Sequence, residues 1–311
     1  MNPENMVNFG HKLLESHFPP WSAHYIDYNS LKQVLEDESR EKEDTNKYQS
    51  SQNFTTLSSF LAALYIQTEK VTFFVLQELG RITFELAECR QTLSESTDAT
   101  VTFDSLHHLK HKYVQIGENI LRLIRFVDLN VTGFRKILKK YDKVTRKNLS
   151  LHYLTLTGTT SGRRFRRFIG EELNLVDVGN QLMQPLLQDS TMTAVVVSFE
   201  AGLESRRRLQ KQYDGTSTPT STKMNQRSRS NTFPNLRQID ERPVQLDQLL
   251  LQIHAALGRL HQTNEFIKLL AVPLMATTDD EETLSKDGDL PLPGRFSNML
   301  NFLSTFLYMS K

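Results

Sequence analysis

Lys136, Lys139, Lys140, Lys143 and Lys147 crowd into one run, GFRKILKKYDKVTRK, from Gly133 to Lys147. At about 100° per residue, a helix here gathers all five within an arc of roughly 100°. Phe134, Ile137, Leu138, Tyr141 and Val144 fall on the other side of the same wheel. Like charges at i,i+4 repel by only ~0.2–0.5 kcal/mol per pair, which a bound polyanion easily offsets. A second element offers matching chemistry. Tyr28 and Lys32 stand i,i+4 on one face, away from Leu31 and Leu35. A phenol hydroxyl is a neutral donor and an ammonium a point charge, a pair suited to phosphate oxygens. Each element also has an ordinary reading: a solvated basic helix face in the first case, a snorkelling lysine in the second.

Other candidates carry less. His107 and His111 have i,i+4 spacing for zinc, with His108 beside them, but a two-histidine spacing alone falls short of a zinc site. Gly158–Arg164, GTTSGRR, has glycines fit for a phosphate cradle; no strand precedes it, so it reads as a flexible loop. Arg229-Ser-Asn-Thr-Phe-Pro234 has the form of a phosphopeptide, in which phosphate on Thr232 would add about −1.5 to −2 charge. No Ser/His/Asp set, paired carboxylates or nucleotide loop is evident. The expectation is a non-enzymatic chain with no catalytic residues, metal or cofactor.

The elements that hold these residues read as helices. Glycine (13) and proline (10) are scarce in a chain of 311 residues, and no alternating strand pattern competes. From Leu57 to Leu93 apolar or small positions recur at steps of three and four, through Leu61, Leu64, Val71, Leu79 and Leu86. Leu106 to Tyr141 repeats that alternation, running past Gly133, where a bend would be natural because glycine weakens a helix by ~1 kcal/mol. Ser94–Thr102 is the expected turn between them, with Asp104 or Thr102 capping the second helix. Before them, Pro19–Pro20 separate a short helix at Phe9–Phe18 from one beginning near Tyr25, and Glu36–Ser51 reads as a fraying end and loop. The predicted fold is all-α: an elongated helical bundle with two long antiparallel helices and short N-terminal helices, followed by further helices and disordered linkers.

The expected organisation is a helical domain over residues 6–155 and a helical extension over 156–211, with helices at Phe165–Leu187 and Thr193–Leu209. A disordered linker at 212–243 follows, almost without apolar side chains. Then come a packing helix at 244–275, an acidic linker at 276–295 and an apolar tail at 296–311. Basic residues cluster at Arg135–Lys147, Arg163–Arg167 and Arg206–Lys211 while the net charge is only +1. Local cationic patches on a neutral chain favour a discrete anionic ligand over nucleic acid. The N-terminus lacks a secretory pattern, the single Cys89 leaves no disulfide framework, and no run approaches ~18–20 consecutive apolar residues. A cytoplasmic setting is expected.

VNFGHKLLESHFPPWSAHYIDYNSLKQVLE, followed about a hundred residues later by GFRKILKKYDK, resembles the SPX domain, a cytosolic helical domain of phosphate homeostasis. The matching segments are Phe9-Gly10, Asp27–Lys32 and Gly133–Lys143. This resemblance implies binding of an inositol polyphosphate, above all an inositol pyrophosphate, as a report of cellular phosphate status. It implies a phosphate-binding cluster at Tyr28, Lys32 and Lys139 and a neighbouring lysine cluster at Lys136, Lys140 and Lys143. Asn8 stands where the family often has a lysine, and brings no charge. The second half, with MTAVVVSFEAGLE and PVQLDQLLLQIHAALGRLHQTNEFIKLL, resembles the soluble region of SPX proteins that continue into a major-facilitator membrane domain. NFLSTFLYM resembles the approach to its first membrane helix; the alternative for that tail is an amphipathic helix packing on the bundle. The implied partners are an effector protein or fused phosphate-transporter domain at the cytosolic face of the vacuolar membrane. The competing functional reading is a basic face that docks a protein or membrane without a small-molecule ligand.

Overall fold

A computed structural model describes residues 9–44, 52–95, 102–146, 149–154, 173–216 and 243–271. These residues form α1 (Phe9–Glu15), a 3-10 helix (Pro19–His24), α2 (Tyr28–Asp44), α3 (Gln52–Glu95), α4 (Phe103–Thr145), α5 (Leu149–Leu154), α6 (Leu173–Leu187), α7 (Ser190–Thr216) and α8 (Pro243–Ala271). No strand occurs among the described residues, and the fold is an all-α bundle.

The two long apolar stripes pair as antiparallel helices. Phe60 of α3 stacks on Tyr141 of α4 at 4.7 Å, Phe74 packs on Phe126 at 4.9 Å, and Glu88 pairs with Lys112 at 3.9 Å. Numbers rise on one helix as they fall on the other. The buried stripe positions, Leu64, Val71 and Ile82 on α3 and Ile120, Val127 and Val131 on α4, belong to one common core. By length and composition α3 could cross a membrane over Ser59–Glu95, yet half of its most apolar 18-residue window is buried inside the bundle. Its apolar content is that of a core helix.

The N-terminal segment lies across this pair. Pro19–Pro20 do not merely separate two helices; they open the 3-10 helix, where fixed φ and missing N–H groups are tolerated. Trp21 from that turn packs edge-on against Phe74 and Phe126, at 5.2 and 5.8 Å. α2 then runs to Asp44, so Glu36–Asp44 extend the helix rather than fray from it. α6 lies on α3, where Thr72 Oγ1 donates to the Leu182 carbonyl, and α5 fits between them through Tyr153, whose hydroxyl meets Thr68 Oγ1 at 2.8 Å. α8 runs alongside α4, from Leu249 against Gly117 to Thr263, which donates to Asp128. Asp247, His254 and His261 tie α8 to Arg207, Glu200 and Asp189.

Boundaries differ from expectation in local ways. The observed α6 starts at Leu173, with residues 165–172 outside the description, and α7 spans Ser190–Thr216, absorbing residues 212–216 of the expected linker. α5 has no counterpart in the sequence reading. The motif at Gly158–Arg164, Lys147, the phosphopeptide-like run at Arg229–Pro234 and the segments at 276–295 and 296–311 lie outside the described residues. α4 is one continuous helix through Gly133. Thr102, not Asp104, is its N-cap, in a capping box with Ser105. Thr102→Ala removes one of the box's two reciprocal bonds and should cost about 1 kcal/mol, read as a lowered midpoint in urea unfolding.

Candidate functional site

The C-terminal third of α4 is fixed by its inner side. Phe134, Ile137, Leu138 and Tyr141 are all essentially inaccessible to solvent. A helix so locked has no freedom to rotate, and Lys136, Lys139 and Lys143 therefore project outward, with Lys140 half-buried beside them. α2 approaches this face by a similar logic. Leu31 and Leu35 are buried, leaving Tyr28 and Lys32 on the adjoining side of the helix. Asp27 caps α2 by accepting the Ser30 N–H at 2.9 Å. One residue earlier, the buried N–H of Ile26 donates to Asn130 Oδ1 at 2.8 Å, pinning the start of α2 to α4.

Two side chains join the helices at the face itself. Phe9 of α1 lies edge-on to Tyr28, with ring centroids 5.0 Å apart, and Lys136 Nζ sits 4.1 Å from the centre of the same ring. That places a cation against the negative face of an aromatic ring. Glu36 receives both Lys140, at 2.8 Å, and Lys32, at 3.5 Å, on one carboxylate oxygen. Tyr28 and Lys136 thus share Phe9, while Lys32 and Lys140 share Glu36. Lys139 and Lys143 extend the cationic arc along α4 toward its end at Arg146, which closes the helix in a left-handed conformation (φ 56°).

Electrostatics follow from these contacts. Burial pushes the Tyr28 phenol above its ordinary value, so the hydroxyl keeps its proton as a donor. Lys140's hydrogen bond, followed by the charges of Lys140 and Lys32, holds the Glu36 carboxyl below the usual carboxylate range despite opposing desolvation. The face offers ammonium and phenol donors to an anion, with the Glu36 carboxylate lodged among them. Residues 87–156 match the SPX domain family. That match takes in the end of α3 and the whole of α4 and α5.

Among curated relatives, an SPX domain-containing membrane protein of Oryza sativa subsp. japonica is 24% identical over 309 residues, 98% of this chain and 38% of its own length. One from Arabidopsis thaliana is 27% identical over 314 residues, with the same two coverages. A second rice protein of that description is 33% identical over 141 residues, 44% of this chain and 19% of its own. The chain spans about two fifths of the length of the first two relatives. Among solved structures, the SPX domain of Chaetomium thermophilum glycerophosphodiester phosphodiesterase 1 in complex with inositol hexakisphosphate aligns with TM-score 0.45 and 18% identity, covering 65% of this chain and 99% of that one.

Three residues that shape the lysine face escape a reading by charge and periodicity. Phe9 enters the sequence motif only as the partner of Gly10, Asn130 looks like one polar position in a long helix, and Glu36 looks like the start of an acidic loop. Of these, Glu36 left a usable signal: it stands i,i+4 from Lys32, the spacing of a helical ion pair. The remaining candidates are elsewhere. His107, His108 and His111 are exposed near the start of α4, and no cluster of three metal-ligating side chains occurs among the described residues. His11 pairs with Glu15 at 3.2 Å on the exposed side of α1.

Proposed function

We propose that the SPX domain binds an inositol polyphosphate or inositol pyrophosphate at the seam of α2 and α4, with Tyr28, Lys32 and Lys139 as the primary phosphate contacts. Lys136, Lys140 and Lys143 form the adjoining surface for further phosphates. The observation that carries this reading is the convergence of Lys32 from α2 and Lys140 from α4 on one carboxylate oxygen, beside the row of lysines on α4. Ammonium groups gathered at that density recruit a compact, multiply charged anion, because each charge-assisted contact is about twice as strong as a neutral one. A ring bearing several phosphates can engage both helices at once, where a single phosphate engages one or two lysines.

In this reading the ligand reports phosphate status, and its binding biases what the following helices contact. Differential affinity for two arrangements is all such coupling needs. α8 lies against α4 and ends at Ala271, so it is positioned to pass a change in α4 onward. The relatives are named as membrane proteins and extend well beyond the aligned length. We therefore propose that this region works with a phosphate-transporting membrane domain, with the lysine face on the cytosolic side of the vacuolar membrane.

Isothermal titration of inositol hexakisphosphate into the chain tests the site. Saturable one-to-one binding is expected, weakened at least ~30-fold by Lys32→Ala combined with Lys139→Ala, the equivalent of about 2 kcal/mol. Equal affinity in that double variant, with its helical content intact, would refute the assignment and leave a basic face for protein or membrane docking.

A further inference from the structure

We propose that Glu36 is a built-in competitor for the anion: its carboxylate occupies Lys32 and Lys140 in the unliganded protein and has to be displaced before a phosphate can take both. The inference rests on the polyphosphate reading of this site and names how that site is regulated. Its basis is the geometry at the α2–α4 seam. One oxygen, Glu36 Oε1, lies 2.8 Å from Lys140 Nζ and 3.5 Å from Lys32 Nζ. Two ammonium groups that both reach a single oxygen are close enough for one phosphate to bridge, and the carboxylate now fills that bridging place. Among the described residues, neither lysine has another carboxylate within ion-pairing distance.

The arrangement is unlike an ordinary surface pair. Lys32 meets Glu36 along its own helix, whereas Lys140 reaches across from α4, so the carboxylate holds two helices as well as two charges. The hydrogen bond from Lys140 also holds its carboxyl below the usual carboxylate range. Every ligand that uses both lysines meets the same displacement cost. A ligand with further phosphates recovers it through Lys136, Lys139 and Lys143; inorganic phosphate has no such reserve. Glu36 would thereby set a floor on the charge a ligand must carry.

Glu36→Gln tests this, since glutamine keeps the shape and removes the charge. Breaking two partly exposed ion pairs leads to an expected gain of about 3–10-fold in affinity for inositol hexakisphosphate. Inorganic phosphate, measured alongside, should gain by a similar factor. In a Lys140→Ala background the gain should shrink to less than about 2-fold, because one of the two contacts is already gone. Glu36→Ala should match Glu36→Gln, and thermal melts followed by circular dichroism confirm that each variant folds.

Four outcomes overturn the proposal: unchanged affinity in Glu36→Gln while the wild type binds, weaker affinity there, an undiminished gain in the Lys140→Ala background, or no binding by either protein. The second would make Glu36 an organiser of the lysines, and the third a diffuse charge effect. The fourth removes the polyphosphate reading as well, which the first three leave standing. Binding by Glu36→Gln where the wild type shows none would support the competitor role.

Discussion

Asn130→Ala is expected to destabilise the protein by about 2–4 kcal/mol and to weaken inositol hexakisphosphate binding as well. Asn130 is fully buried in the middle of α4. Its Oδ1 accepts the Ile26 N–H at 2.8 Å, and its Nδ2 donates to the Phe126 carbonyl at 2.7 Å. Alanine leaves the buried Ile26 N–H without an acceptor, which alone costs about 1–3 kcal/mol. The lost packing adds roughly 1 kcal/mol more. Ile26 is two residues before Tyr28, so releasing it loosens the start of α2 and the side chains that face the lysines. Asn130→Leu separates the two terms. It refills the volume but leaves the donor orphaned, and should recover only the packing part in urea unfolding. Asn130→Ala as stable as the wild type would show that Ile26 finds another acceptor and that the pin is dispensable.

The lysine arc was legible in the sequence because helical periodicity needs nothing beyond the chain itself. Once Phe134, Ile137, Leu138 and Tyr141 point inward, Lys136, Lys139, Lys140 and Lys143 have to point outward. The antiparallel pairing of α3 and α4 followed from two long stripes and a short polar connection, and Phe60 on Tyr141 and Phe74 on Phe126 realise it. Periodicity does not reveal which foreign element meets a helix at a given turn. Asn130 and Ile26 are 104 residues apart, as are Glu36 and Lys140. Nothing local in Asn130 distinguishes a buried acceptor from a polar surface position, and the i,i+4 spacing of Glu36 from Lys32 does not reveal that Lys140 also reaches it. The helices run past their expected ends for a related reason. Charge and low apolarity over Glu36–Asp44 and Gln212–Thr216 resemble loop composition, but exposed helix termini tolerate the same residues, with glutamate, lysine, arginine and glutamine among the better helix formers.

Gly133 makes that distinction measurable. By composition it marks a bend; in the structure α4 passes through it as a continuous helix, and the N-terminal segment presses against the glycine. A Cβ there would lie 2.9 Å from Ile26 Cγ2 and 3.9 Å from Phe9 Cε1. Gly133→Ala sets a helix-propensity gain of about 1 kcal/mol against a contact that Ile26 has to yield to, so little net change in stability is expected. Gly133→Val adds two branching methyl groups to the same place and should cost about 2–3 kcal/mol through overpacking. Because Phe9 carries both Tyr28 and Lys136, its displacement should also weaken inositol hexakisphosphate binding about 5-fold in Gly133→Val. Urea unfolding and calorimetry on the two variants read both effects. Were Gly133 merely a flexible joint, alanine and valine would each stiffen α4, and valine would leave stability and affinity close to the alanine variant. Valine separates from alanine only if the glycine is there to admit Ile26, which makes the empty space at position 133 part of what positions the lysine face.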